Sequence, residues 1–412
     1  MPASTYPHRV DCLKKAEPLL SPALARAQQV HQDGGSNRPV QWYFDNLLPE
    51  ENQRDAVIRE ARIQGEDTFA LLEYLGAESA GSLILLPPGD PLPQTQGLRP
   101  LQDPEIHHRI SRLPGLPLSH GAPKRMSAAG AQDKLLVVLR DGRLYEPEGI
   151  EPSTHILKPN HRSEDYPATV VNEYVVMTLA GRLGLHAPTV LRRYTPDPVY
   201  IVERFDRRLD SQGVTRRLHI IDGCQLLNKP RGAKYSAMTL HCLVDIIGLC
   251  TNKVSTRLRL FQWLLFNLLV GNNDNHLKNL SFLVGHEGLE LAPCYDLLST
   301  AVYHTRTVAN ERADWPAVAL TLGLPGCGSY QAITRASLLA AGETLGIPAR
   351  ISARELDRMR RTLPPALDEI TAEIEAGNRA SRADVRPFLA GELRLINALR
   401  HLLMPEMLQR TA

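Results

Sequence analysis

The stretch VGNNDNHLKNLSF, residues 270–282, sets a carboxylate, an imidazole, an ammonium and an amide side by side as Asp274, His276, Lys278 and Asn279. Three readings fit those residue types: a hydrogen-bonded polar loop, a hydrolytic metal site drawing on Asp274, His276 and His304, and a phosphoryl-transfer loop. Spacing alone leaves the polar loop the commoner reading, and the third gains from what surrounds it. Four residues separate Asp274 from Asn279, which lets one turn of chain set a carboxylate beside an attacking hydroxyl and an amide oxygen on Mg²⁺. The next stretch, LSFLVGHEGLELAPCYD, reads as two strands around a tight turn, so the chain folds back and returns Asp296 towards Asn279 as a second metal-binding carboxylate.

Phosphoryl transfer also needs a cradle and a cation for the phosphates, and both occur upstream. MSAAGAQDKLLVVL places Ala128, Ala129, Gly130 and Ala131 just before a strand, where small residues let backbone N–H groups approach phosphate oxygens. It is not a Walker A sequence. Lys158 closes the strand THILKP, and Glu173 in the helix TVVNEYVVMTL is a candidate ion-pair partner for it. VYIVERFDR then carries Glu203, Arg204 and Phe205 where a two-lobed kinase has its hinge. Taken singly, each has an ordinary reading: a turn, a surface lysine, a solvated glutamate. Their order along the chain is that of a kinase.

The elements that must position these groups follow from periodicity. WYFDNLLPEENQRDAVIREARI and TFALLEYLGAESAGSLILL show helical spacing, and PPGDPLPQTQGLRP marks an irregular connector. KLLVVLR, THILKP, TVLRRY and VYIVERFD read as strands around the helix TVVNEYVVMTLAGRLG. RLRLFQWLLFNLLV is apolar on most faces, the mark of a helix buried in a domain core. Beyond Asp222 helices dominate, interrupted by the hairpin LSFLV/LELAP and by loops around GLPGCGSY. No internal repeat is visible.

Composition sets the outer limits. The chain has 412 residues, 43% hydrophobic and 22% charged, enough for more than one core. A formal net charge of +2 gives no global attraction to nucleic acid or membrane. Six cysteines lack metal-ligand spacing, which suggests neither a zinc site nor a disulfide framework. With no signal-like or membrane-length apolar run, a soluble, cytoplasmic protein without membrane partners is expected. Arginines gather at Arg354, Arg358, Arg360, Arg361, Arg379, Arg382 and Arg386, among nearly as many acidic residues, and read as a solvated helix face.

Together SAAGAQDK, THILKP, NEY, VERFDRR, CQLL, KY, NDNHLKNLSF and YDLLST resemble the HipA serine/threonine kinases, toxins of bacterial type II toxin–antitoxin pairs. WYFDNLLPEE and FALLEYLGAESAGSLILLP are similar to the N-terminal subdomain of that family. The segment before Gln41 departs from the pattern, within the subdomain that this family often uses for antitoxin contact. The resemblance implies an α+β, two-lobed protein-kinase-like fold: a HipA-type N-terminal subdomain over 1–100, a mixed α/β N-lobe over 101–206 and a mainly helical C-lobe over 207–412. It implies ATP and Mg²⁺ as cofactors, with Asp274 catalytic and Asn279 and Asp296 as metal ligands.

By the same resemblance Ala129, Gly130, Ala131, Gln132, Asp133 and Lys134 form the ATP loop. Lys158 is the phosphate lysine, Glu203, Arg204 and Phe205 line the hinge, and His276 and Lys278 belong to the catalytic loop. Ser127 matches a serine that these kinases autophosphorylate, ejecting the ATP loop. Implied partners are a protein substrate, an aminoacyl-tRNA synthetase in this family, and a small helix-turn-helix antitoxin through which operator DNA is contacted. Two other functions stay open: a non-catalytic corepressor of a toxin–antitoxin operon, and a small-molecule phosphotransferase.

Overall fold

A computed structural model describes residues 20–24, 30–65, 67–87, 89–379 and 382–412. The earliest part of the segment before Gln41, Cys12 included, lies outside them. The chain forms two compact units, each assembled from separated stretches: Met1–Lys158, Glu203–Lys234 and Leu280–Ala292 in the first, and Pro159–Val202, Tyr235–Asn279 and Pro293–Ala412 in the second.

In the first unit three short helices, Pro39–Asp45, Glu51–Ala61 and Thr68–Leu75, bury Leu48, Val57, Leu71, Leu72 and Leu75 against one another. The helical pattern read across WYFDNLLPEENQRDAVIREARI is therefore two helices broken at residues 46–50, where Pro49 removes a backbone donor. The next helix starts at Asp67, whose carboxylate accepts from the Phe69 and Ala70 N–H groups. It stops at Leu75, earlier than its apolar pattern suggests. The chain turns back there, with the Leu85 N–H donating to the Gly76 carbonyl (2.8 Å), an approach so close that only glycine fits, since a Cβ would strike the Leu85 backbone.

Four antiparallel strands follow, ordered Gln96–Pro100, Arg143–Gly149, Leu135–Arg140 and His155–Pro159. The first was expected to be irregular connector. It is an edge strand, the position where Pro100 and its missing N–H are tolerated. A smaller sheet joins Ile220–Asp222 to the expected hairpin Ser281–Gly285/Gly288–Leu291. Asp222 also caps the short helix Gly223–Leu226 in a capping box with Gln225, whose amide then reaches the Tyr43 carbonyl at 2.9 Å.

The second unit is mainly helical. Lys253–Leu269, capped by Asn252 on the Ser255 N–H, buries Leu260, Phe261, Trp263, Leu264, Leu265, Phe266 and Leu268, as its all-round apolar pattern requires. It packs against Leu240–Leu249 and the 31-residue helix Ala349–Arg379, and the unit also holds Thr169–Arg182 and Arg335–Thr344. The strands Val190–Tyr194 and Pro198–Glu203 pair antiparallel. GLPGCGSY, read as loop, closes a hairpin between Ala319–Leu324 and Cys327–Ser329, with Gly326 in the left-handed region at φ 67°. Among the described residues no helix is long and apolar enough to cross a membrane. Arg354 and Arg382 are exposed and paired with carboxylates, as a solvated face would be, whereas Arg358 and Arg360 are half-buried and also donate to the Leu183 and Leu408 carbonyls.

Candidate functional site

The loop of residues 270–279 leaves the buried helix Lys253–Leu269 through Gly271, at φ 68°. A Cβ there would lie 2.7 Å from Leu403 Cδ1 and 2.9 Å from Ala301 Cβ. Gly271 is thus required twice, by its backbone angle and by close packing. Gly271→Ala is expected to cost about 2–4 kcal/mol through strain and overpacking, read as a lowered denaturation midpoint.

A ladder of amides then carries the rigidity of the helix into the loop. Asn267 Nδ2 donates to the Trp263 carbonyl (2.7 Å), Asn272 Nδ2 to Asn267 Oδ1 (2.6 Å), and the Asp274 N–H to Asn272 Oδ1 (3.0 Å). Asn273 staples the other side, donating from Nδ2 to the Ala319 carbonyl and accepting from the Thr321 N–H, both at 2.8 Å. Asp274 keeps 37% of its side chain exposed on this buried frame. Tyr235 donates its hydroxyl to Asp274 Oδ1 at 2.5 Å, and His276 Nε2 lies 3.6 Å from the same oxygen.

Asn279 Nδ2 donates to the Asp274 carbonyl at 2.6 Å, leaving Asn279 Oδ1 without a partner among the described residues. An oriented amide oxygen of this kind suits a hard cation. Asp296, held at φ 52°, is near enough to the fully buried Tyr200 that burial first, then the Glu173 and Asp296 carboxylates, push that phenol far above its usual range. The segment bearing Asp296 is fixed by Asn172, which donates to the Ser299 carbonyl (2.9 Å) and accepts from the Ser299 N–H (2.8 Å). These oxygen donors fit Mg²⁺, which takes one or two protein ligands and completes its shell with phosphate oxygens and water.

The hydrolytic metal alternative is not assembled. His304 Nδ1 pairs with Asp314 at 2.7 Å, and among the described residues no group of three or more His, Cys, Asp and Glu side chains could hold a metal.

In the first unit the ATP-loop candidates turn on Gly130, at φ 106°, where a Cβ would meet Lys134 Nζ at 2.7 Å. That ammonium donates to the Ala129 carbonyl at 2.5 Å, beneath the loop. Ala131, Gln132 and Asp133 complete the turn, half-buried. Because Leu135 pairs with Leu157, continuing the register sets Lys134 opposite Lys158; both are buried at the same end of the sheet. The loop is held from the N-terminal helices: Glu50 N–H donates to the Gly130 carbonyl (3.0 Å) and the Ser127 hydroxyl to the Leu47 carbonyl (2.5 Å). Ser127 N–H donates to the Glu78 carbonyl at 2.7 Å, and only 2% of Ser127 is exposed.

The hinge candidates separate by role. Glu203 is exposed and Phe205 half-buried, whereas the Arg204 guanidinium is fully engaged with Asp206 (2.7 Å), Glu78 (3.3 Å) and the Ser153 hydroxyl (2.8 Å). Its backbone is engaged too, the N–H donating to the Thr154 carbonyl (2.9 Å) and the carbonyl accepting from the Arg207 N–H (3.2 Å), so the expectation that Arg204 lines the nucleotide is corrected: its polar groups are spent within the fold. Sequence reasoning missed Glu78, the acid at the centre of that cluster, and Asn272 and Tyr235, which fix Asp274. KY and NND were visible as strings, but nothing local says what they hold.

A mixed α/β unit with a small-residue loop and buried lysine, and a mainly helical unit with an Asp-x-x-x-x-Asn loop on a buried helix, define the two-lobed protein-kinase-like class. Residues 126–366 match the model of the HipA-like C-terminal domain and residues 5–86 that of the HipA N-terminal domain. The chain belongs to the HipA family of serine/threonine kinases. The N-terminal match corrects the expectation that likeness starts near Gln41, since it reaches well before it.

Among similar proteins is the serine/threonine-protein kinase toxin HipA of Shewanella oneidensis, 32% identical over 82% of this chain and 78% of its own length. A putative kinase of Sinorhizobium fredii, Y4mE, is 40% identical over 65% of this chain, which spans 66% of that relative's length. The Shewanella oneidensis HipA structure, in complex with HipB and operator DNA, superposes with a TM-score of 0.75 at 28% identity, covering 96% of this chain and 92% of the other.

Proposed function

We propose that this protein transfers the γ-phosphoryl group of ATP to a serine hydroxyl of a protein, with Asp274 orienting the hydroxyl and accepting its proton. The observation that carries the reading is the held but exposed carboxylate of Asp274, with Asn279 Oδ1 oriented five residues on. Asp274 directs the serine oxygen in line with the phosphorus; the O–P bond to serine forms as the bond to the leaving ADP oxygen breaks, and the serine proton passes to the carboxylate. Lys158 and the loop 129–134 hold phosphate oxygens, Glu203 and Phe205 flank the adenine, and His276 and Lys278 support the loop. Asn279 and Asp296 would hold Mg²⁺, which when bound neutralises charge on the phosphates.

The substrate proposed is an aminoacyl-tRNA synthetase, whose modification would arrest growth. The partner proposed is a small helix-turn-helix antitoxin that carries the complex to operator DNA; the assembly of the Shewanella oneidensis relative with HipB and DNA supports this. Incubating the purified chain and a host lysate with γ-labelled ATP tests the reaction. Label on serine of a lysate protein is expected. Label on a metabolite alone would favour a small-molecule phosphotransferase, and no label with intact operator binding a corepressor.

Autophosphorylation at Ser127 is part of this proposal. The buried hydroxyl can be modified only after the loop leaves, and the product, carrying nearly two negative charges, cannot return to face the Leu47 carbonyl. Ser127→Glu is expected to weaken ATP binding by roughly 5- to 150-fold, as a loss of about 1–3 kcal/mol in loop placement implies. Titration calorimetry with a non-hydrolysable ATP analogue reads it; unchanged affinity would contradict it.

A further inference from the structure

We infer that Tyr235 is a positioning residue for the transfer step, assigning the two oxygens of Asp274 to different tasks; this rests on the kinase reading above. A carboxylate only accepts, so the 2.5 Å hydrogen bond runs from the Tyr235 hydroxyl to Asp274 Oδ1. His276 Nε2 faces that same oxygen, and the Tyr235 and His276 rings meet edge to face with centroids 4.8 Å apart. The Tyr235 hydroxyl thus holds Oδ1, with the His276 ring packed beside it and too far from that oxygen for a hydrogen bond. Asp274 Oδ2 has no partner among the described residues and is the oxygen left to accept a substrate hydroxyl.

The burial pattern argues that this bond is not a by-product of packing. Tyr235 is 43% exposed and belongs to no helix or strand, so the core does not dictate its rotamer. Asp274 is likewise too exposed to be held by burial. Its backbone is fixed through Asn272 and Asn279, but that leaves rotation about the side chain open. The Tyr235 hydroxyl removes that freedom. A nucleophile aligned to within a fraction of an ångström depends on such a restraint, and a charge-assisted bond is strong enough to supply it.

The test compares wild type, Tyr235→Phe, Asp274→Asn and the double variant of the full chain. Initial rates of γ-phosphate incorporation from labelled ATP into host-lysate protein are followed against ATP concentration, with thermal midpoints in parallel. Tyr235→Phe, which keeps the ring against His276, is expected to lower the maximal rate by roughly 10- to 100-fold with KM for ATP and midpoint unchanged. In the Asp274→Asn background it should cost nothing further. Replacing Tyr235 by a fluorinated tyrosine, whose hydroxyl ionises nearer neutrality, should bring a loss of rate at mildly alkaline pH that wild type lacks. A wild-type maximal rate in Tyr235→Phe, or no such alkaline loss in the fluorinated protein, overturns the inference while the kinase reading stands. Full activity in Asp274→Asn would instead remove the kinase reading itself.

Discussion

Asp274→Asn is expected to lower phosphate transfer by about 10²–10⁴-fold while leaving the thermal midpoint unchanged. The substitution keeps the shape of the side chain and removes the charge that draws in and accepts the serine proton. Its structural cost is small, because the side chain is substantially exposed and its neighbours hold the loop through backbone groups: Asn272 receives the N–H and Asn279 donates to the carbonyl. ATP binding should persist, since Asp274 is assigned to the hydroxyl and not to the nucleotide. Loss of rate with retained affinity for an ATP analogue is therefore the signature. Loss of both would place Asp274 among the groups that hold the nucleotide.

The largest effect on stability is expected at Glu78. Its side chain is fully buried and gathers Lys124 (2.7 Å), Arg207 (3.1 Å), Arg204 (3.3 Å) and Arg217 (3.5 Å), with the Ser153 N–H and hydroxyl on Oε1 at 2.9 and 2.6 Å. Burial by itself raises the Glu78 carboxyl, but Arg204, Lys124 and Arg207 outweigh it and hold the group far below the usual carboxylate range. Removing that charge by Glu78→Gln leaves buried cations facing one another. A loss of about 3–5 kcal/mol is expected, a large share of the 5–15 kcal/mol that keeps a domain folded.

Denaturant unfolding of the two proteins reads the loss, and pH gives an independent check. A carboxyl with a depressed folded-state pKa contributes stability that is present above its unfolded value, about 4.3, and drains away as pH falls below it towards the folded value. Wild type should lose stability steeply in that acid window, and the variant less so. Because the Glu78 carbonyl also receives the Ser127 N–H, the damage should spread to the ATP loop.

What was legible in the sequence was dense and local. Asp274 and Asn279 could be singled out because the task proposed for them fixes both residue types and a spacing within one turn, though only the hairpin and the upstream stretches set them apart from an ordinary polar loop. The strand bearing Lys158 and the buried helix behind the loop could be read from periodicity alone. Glu78 could not, because its partners lie from 46 to 139 residues away and each looks like an ordinary surface charge on its own. Tyr235 sits 39 residues before Asp274, with no pattern joining the two. The strand Gln96–Pro100 was hidden by the prolines of its connector, which argue for irregular chain until a neighbouring strand supplies pairing. Long-range ion pairs and edge pairing are decided by tertiary structure, and short-range chemistry by sequence.

The most direct measurement of the central claim is quantitative phosphoproteomics of host cells producing wild type or Asp274→Asn at equal levels. The account predicts a small set of serine phosphosites, including one on an aminoacyl-tRNA synthetase and one on Ser127 of the chain itself, present with wild type and absent with the variant. Indistinguishable phosphoproteomes, with growth arrested equally by both proteins, would contradict it.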